Sequence, residues 1–172
     1  MITPEYVRIQ SAYNAEMNRR VFDTAGRLSD AERRRDRAAF FGSIHATLNH
    51  LLWADNQWMS RFDGWDKPPV VGRGGTEWFS DFAELEAVRI KADARISAWA
   101  EALDQSWLDQ DQVWYSGIAK RDMSRARGML LIHFFNHQIH HRGQVHAMLT
   151  AAGEDTGDTD IWLVLPGEQQ AV

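Results

Sequence analysis

Polar and apolar positions recur with a helical period along most of the chain. Ile44, Leu48, Leu51, Asp55, Trp58 and Phe62 follow one another at steps of four and three, the spacing of one helix face. They predict a helix over about Gly42 to Phe62, in which Asp55 is the one polar member of the stripe and needs a partner wherever it is buried. An earlier helix is predicted from Pro4 to Arg27, with Thr3 as its cap and proline in its first turn. A short helical piece follows at Ser29-Asp30-Ala31-Glu32, which has the spacing of a capping box. Gly64 and Pro68-Pro69 stop the second long helix, and Gly72-Arg73-Gly74-Gly75 continues as loop. A third helix is expected from Trp78 to Ser106, its apolar side made by Phe82, Leu85, Val88, Ile90, Ile96, Trp99 and Leu103. Gln112 to Gly117 reads as a short extended stretch or hairpin arm. A fourth helix is expected from Ser124 to Ala152, with Gly153 as a natural stop. The apolar tail from Asp160 to Pro166 is expected to lie against the helices.

Long amphipathic helices with few strands bury their stripes against one another. The expected architecture is therefore all-α: one four-helix bundle domain over residues 1–172, with a short β-hairpin before the last helix. Composition changes this picture little. The chain of 172 residues is 44% hydrophobic and 25% charged, ordinary for one globular domain. Eight tryptophans point to a core rich in large flat side chains. A net charge of -5 removes the overall attraction that nucleic-acid binding needs. Arg33, Arg34, Arg35 and Arg37 alternate with Asp30, Glu32 and Asp36, which describes a solvated helix face. The absence of cysteine excludes disulfides, thiolate zinc sites and a cysteine nucleophile. With no secretory signal and no apolar run of membrane-spanning length, a cytoplasmic location is expected.

Chemistry concentrates in the histidines. Leu130, Phe134, His137, His141, Gln144 and Met148 continue one seam at steps of four and three, so His137 and His141 stand where leucine is expected. A buried imidazole without a partner costs roughly 1–3 kcal/mol, and two such rings one turn apart can instead converge on one metal ion. The glutamate of the His-Glu-x-x-His protease motif is missing, because Gln138 holds that place. No glutamate has a histidine three residues later, which excludes a ferritin-like di-iron site. A third ligand is needed, and helix two offers His50, with His45 as a competitor.

The stretch from Leu131 to Gln144, including His140-His141-Arg142-Gly143-Gln144, resembles the signature of the DinB/YfiT-like family of the DinB superfamily, which is read as a family of metalloenzymes. So does Leu48-Asn49-His50-Leu51-Leu52-Trp53-Ala54-Asp55, and the likeness runs on to Gly153 and Asp160. The resemblance implies an up-down-down-up bundle holding a divalent metal through His50, His137 and His141. It implies homodimers, and for some members thiol-dependent transferase or isomerase activity with mycothiol, bacillithiol or glutathione. It also suggests that Arg142 pairs with a carboxylate and that Gly143 lets helices approach. His133 and His140, on a stripe with Asn136, are expected to be partly exposed, and His146 peripheral. Asp55 either orients a ligand or pairs with an arginine in the core. Trp53, Trp58 and Trp65 are candidates for a pocket mouth, with core as the plainer reading.

All-imidazole ligation suits zinc or nickel first, with iron, manganese and copper behind them. The expected function is metal-dependent chemistry on a small-molecule substrate, with a low-molecular-weight thiol as partner. The alternative is a non-enzymatic, stress-related helical protein whose metal site is structural.

Overall fold

A computed structural model describes residues 2–117 and 119–165. The fold is mostly helical, with one small antiparallel sheet. Helix α1 spans Pro4–Gly26, α2 Asp30–Arg34, α3 Ile44–Phe62, α4 Phe82–Ala102, α5 Gln105–Leu108, α6 Arg127–Ala151 and α7 Ile161–Val164. A single turn of 3-10 helix, Arg73–Gly75, lies between α3 and α4, and strands β1 (Asp111–Ser116) and β2 (Arg121–Ala126) precede α6. No helix among the described residues is long and apolar enough to cross a membrane.

Side-chain caps set most helix starts. Thr3, Ser29, Ser43, Asp81 and Asp104 each accept a backbone N–H from the first turn of α1 to α5 in order, satisfying donors that have no partner inside the helix. Asp81 explains why α4 begins at Phe82 rather than at Trp78. The backbone of Phe79 is instead held in a loop by Asn49, whose Oδ1 accepts from its N–H at 2.7 Å and whose Nδ2 donates to its carbonyl. Helix α4 also ends before Ser106, because Asp104 starts a separate turn, α5. Ile90, assigned to the apolar side of this helix, is 61% exposed. The residues expected to open the last helix at Ser124 belong to β2, which pairs with β1 in the register Trp114 opposite Met123. Helix α6 ends as expected, with Gly153 at φ +87° and the Glu154 N–H returning to the Leu149 carbonyl.

The four long helices close a ring of contacts, α1 against α4 and α6, and α3 against α6 and α4. Their shared core includes Val7, Val21, Leu48, Leu51, Leu52, Leu85, Ile96, Leu131, Phe134 and Phe135. The tail is covered only in part. Val164 is buried, whereas Trp162 is 73% and Leu163 50% exposed, and Pro166 lies outside the described residues.

One layer of this core is charged. Arg89 of α4 contacts Asp55 of α3 at 2.6 Å and Asp93 of its own helix at 2.7 Å. Gln138 of α6 donates to Asp55, and Asn18 of α1 donates to Asp93 at 2.9 Å. Asp55 therefore has an arginine partner in the core and does not orient a histidine. Arg142 differs from expectation: its Nη1 donates to the side-chain amide oxygens of Asn14 and Asn18, not to a carboxylate. The network joins all four long helices and fixes the rotation of α6 beside His137.

Candidate metal centre

The seam that carries His137 and His141 on α6 faces the side of α3 that carries His50. His50 and His141 are buried and His137 is half-buried. One ring nitrogen from each of the three lies within 4.8 Å of the others. No aspartate, glutamate or further histidine among the described residues completes a second such cluster or joins this one.

Hydrogen bonds orient two of the rings. Nδ1 of His50 lies 2.6 Å from the carbonyl oxygen of Gly74, and Nδ1 of His141 lies 2.9 Å from Oε1 of Gln144. Both oxygens only accept, so Nδ1 carries the proton in each ring and Nε2 keeps its lone pair. Nε2 of His50 lies 3.1 Å from Nε2 of His137. Two lone pairs repel at that distance unless a proton or a cation stands between them. Nitrogens bound at about 2.0–2.1 Å to one tetrahedral zinc sit about 3.3 Å apart, so this spacing suits a shared ion. Three neutral imidazoles, two with oriented Nδ1–H groups, are a fitting donor set for a divalent metal.

The surroundings keep the rings neutral. Burial holds His50 down to about 4 and His137 to about 3, helped in His137 by the neighbouring imidazoles. Burial also lowers His141. Each folded-state value is below the ordinary histidine value near 6.5. Below that pH the unfolded chain takes up protons that the folded chain refuses. The metal-free protein should therefore hold this contribution above about pH 6.5 and lose it as pH falls toward 4 and then 3. Urea unfolding in chelator at a series of pH values should show a steeper loss of midpoint for the parent than for His137→Ala.

Across residues 3–170 the chain matches the family model described as the DinB family. The chain belongs to the DinB family. It is also 28% identical over 159 residues to Protein DinB of Bacillus subtilis (strain 168), covering 89% of this chain and 90% of that protein.

In this DinB-family chain the other histidines are used elsewhere. Nε2 of His45 bonds the Phe79 carbonyl at 2.9 Å, beside Asn49, so the competitor for third ligand is committed to holding a loop. His133 and His140 are exposed, as expected, and flank the centre, with ring centroids 5.9 Å from His137 and 4.8 Å from His141. His146 bonds Thr156 on the chain leaving α6. Of the three tryptophans, Trp53 stacks 6.4 Å from His50, Trp58 meets His133, and Trp65 is buried in the core.

Two neighbours of the centre were not legible in the sequence. Phe41 packs 4.1 Å from His50 and 5.3 Å from His141. The loop Gly72 to Gly75, read only as a connection, supplies the carbonyl that orients His50. Its glycines carried the signal. Gly74 and Gly75 have φ of +67° and +77°, and a Cβ on Gly75 would overlap the Trp53 side chain. Gly75→Ala is therefore expected to cost about 1–3 kcal/mol, read as a lower urea midpoint.

Proposed function

We propose that this protein is a four-helix bundle of up-down-down-up order that holds one divalent metal ion through His50, His137 and His141 and uses it as an enzyme. The convergence of three Nε2-bearing rings, with no acidic side chain among them, carries this reading. Three neutral ligands leave the ion its full charge and a free coordination position, which suits catalysis better than structure. Such an ion supplies Lewis acidity that favours the deprotonated form of a thiol or a water at neutral pH. The protein side of the site does the remaining work. Gly74 and Gln144 hold the Nδ1 protons of His50 and His141, and Phe41 and Trp53 shield the His50 ring.

Zinc or nickel is the proposed ion. A low-molecular-weight thiol is the proposed co-substrate, in an S-transferase or isomerase reaction on a small molecule, in the cytoplasm and as a homodimer. Cobalt-substituted protein titrated with mycothiol, bacillithiol and glutathione tests the thiol. A new sulfur-to-metal absorption band with one of them, and a transferase rate with the same thiol, is the expected result. Silence with all three overturns the thiol reading and leaves the metal reading to its own test. Gln144→Ala should weaken metal binding by about 10- to 100-fold, measured by competition with a chromophoric chelator, because His141 then loses the acceptor that fixes its ring.

A further inference from the structure

Two arginines are buried among the long helices, and they are satisfied differently. Arg89 touches two carboxylates, so the larger cleft beside it, about 500 Å³ between α1 and α4, is backed by a neutralised cation. Arg142 is only 5% exposed and touches no carboxylate among the described residues. It is linked to Asp93 only through Asn18, which accepts from Nη1 at 3.3 Å and donates to Asp93. Nε and Nη2 of Arg142 make no hydrogen bond among the described residues. Arg142 instead forms part of the wall of a cleft of about 230 Å³ between α1 and α6.

The rest of this cleft is built rather than accidental. Met17, Val21 and Ile139 give it an apolar side, and the Tyr13 ring lies 5.7 Å from the guanidinium carbon. The chain leaving α6 is pinned along the rim: Tyr13 donates to the Thr159 carbonyl at 2.6 Å, Arg20 donates to the Asp158 carbonyl at 3.1 Å, and Thr156 bonds His146. Gly143 adds an independent observation. Glycine inside a helix is disfavoured relative to alanine, and the resemblance suggested a close helix contact as the reason. No helix among the described residues packs there, because a Cβ on Gly143 would meet nothing within 4 Å. Gly143 lines the cleft, and its missing side chain keeps the mouth open.

We propose that this cleft binds a small organic monocarboxylate. The carboxylate sits in a two-point contact on Nε and Nη2 of Arg142, a geometry that guanidinium groups favour. A short aliphatic tail lies on Ile139, with Met17 and the buried Val21 behind it. One arginine matches one negative charge: among the described residues no lysine or second arginine lines the cleft, His146 in its wall is engaged by Thr156, and Arg20 on the rim is paired with Glu16, so nothing further is there to hold a dianion such as phosphate. The site does not depend on the metal centre.

The test is titration of the full-length protein, metal-free and metal-loaded, with acetate, butyrate and inorganic phosphate, followed by NMR at the Gly143 amide and the Arg142 Nε–H. Expected are saturable shifts with butyrate, weaker ones with acetate and none with phosphate, alike in both metal states. Gly143→Leu, whose side chain enters open space and so leaves the fold intact, should weaken butyrate binding tenfold or more. Arg142→Gln should abolish it; if that variant fails to fold, Gly143→Leu decides alone. The proposal is overturned if no carboxylate saturates, if Gly143→Leu binds as the parent does, if phosphate binds more tightly than butyrate, or if binding requires the metal.

Discussion

Replacing Arg89 with methionine is expected to remove about 3–5 kcal/mol of folding stability. The guanidinium is fully buried between Asp55 and Asp93, and nothing else in direct contact among the described residues carries a positive charge to them. An intact buried ion pair contributes little net stability, since desolvation offsets attraction. Removing one partner leaves charges in the core with no compensation, and that is where the large loss arises. The pH dependence identifies the cause. Burial already raises Asp55 to about 6 and raises Asp93 as well, against the attraction of Arg89. Without Arg89 both rise further. A carboxyl whose folded value is raised binds more protons folded than unfolded, so it stabilises as pH falls through that value. Urea unfolding should therefore show a deficit for Arg89→Met that is largest at pH 7 and smaller toward pH 5. A deficit independent of pH would point to lost packing instead.

Substituting His137 with alanine is expected to weaken binding of a divalent ion by on the order of a hundredfold or more, at least the upper end of what losing a supporting hydrogen bond costs. His137 faces Nε2 of His50 at 3.1 Å and lies one turn from His141, so its loss leaves two ligands where a stable site needs three. The metal-free variant should remain folded, because the ring removed is half-buried and makes no hydrogen bond to the backbone. His45→Ala provides the contrast. It lies on the same helix as His50 but bonds the Phe79 carbonyl, so it should cost stability and leave metal affinity within a few-fold of the parent. Competition with a chromophoric chelator reads both effects. Equal losses for the two variants would contradict the assignment of the third ligand.

The three-four spacing carried most of the helical architecture, because it reports which face of a helix is buried regardless of what covers it. The stripes of α3 and α6, and the cap and proline that open α1, gave helices with ends within a few residues of those observed. The same logic placed His137 and His141 in a seam that the structure buries against α3. It favoured His50, mid-helix beside the apolar stripe, and kept His45 as a competitor, since both lie on one helix and only the fold decides which faces α6. The expected hairpin before the last helix is present, but its second arm was not placed, because Arg121 to Ala126 is almost wholly exposed and has no alternation to read. Phe41 and the carbonyl of Gly74 reach the site from loops, where local pattern says nothing about distant neighbours. The amide partners of Arg142 were readable in principle. Ser11, Asn14 and Asn18 follow the helical spacing between Val7 and Val21 and are all buried, a polar stripe that calls for a polar partner on a facing helix.

Metal content is the most direct test of the three-histidine centre. The purified parent protein, as isolated and after reconstitution with zinc or nickel, is compared by elemental analysis with a variant carrying His137→Ala and His141→Ala. Near one equivalent of metal per chain in the parent and none in the variant is the expected result. A parent that takes up no metal after reconstitution, or a variant that holds as much as the parent, would contradict a metal ion bound by His50, His137 and His141.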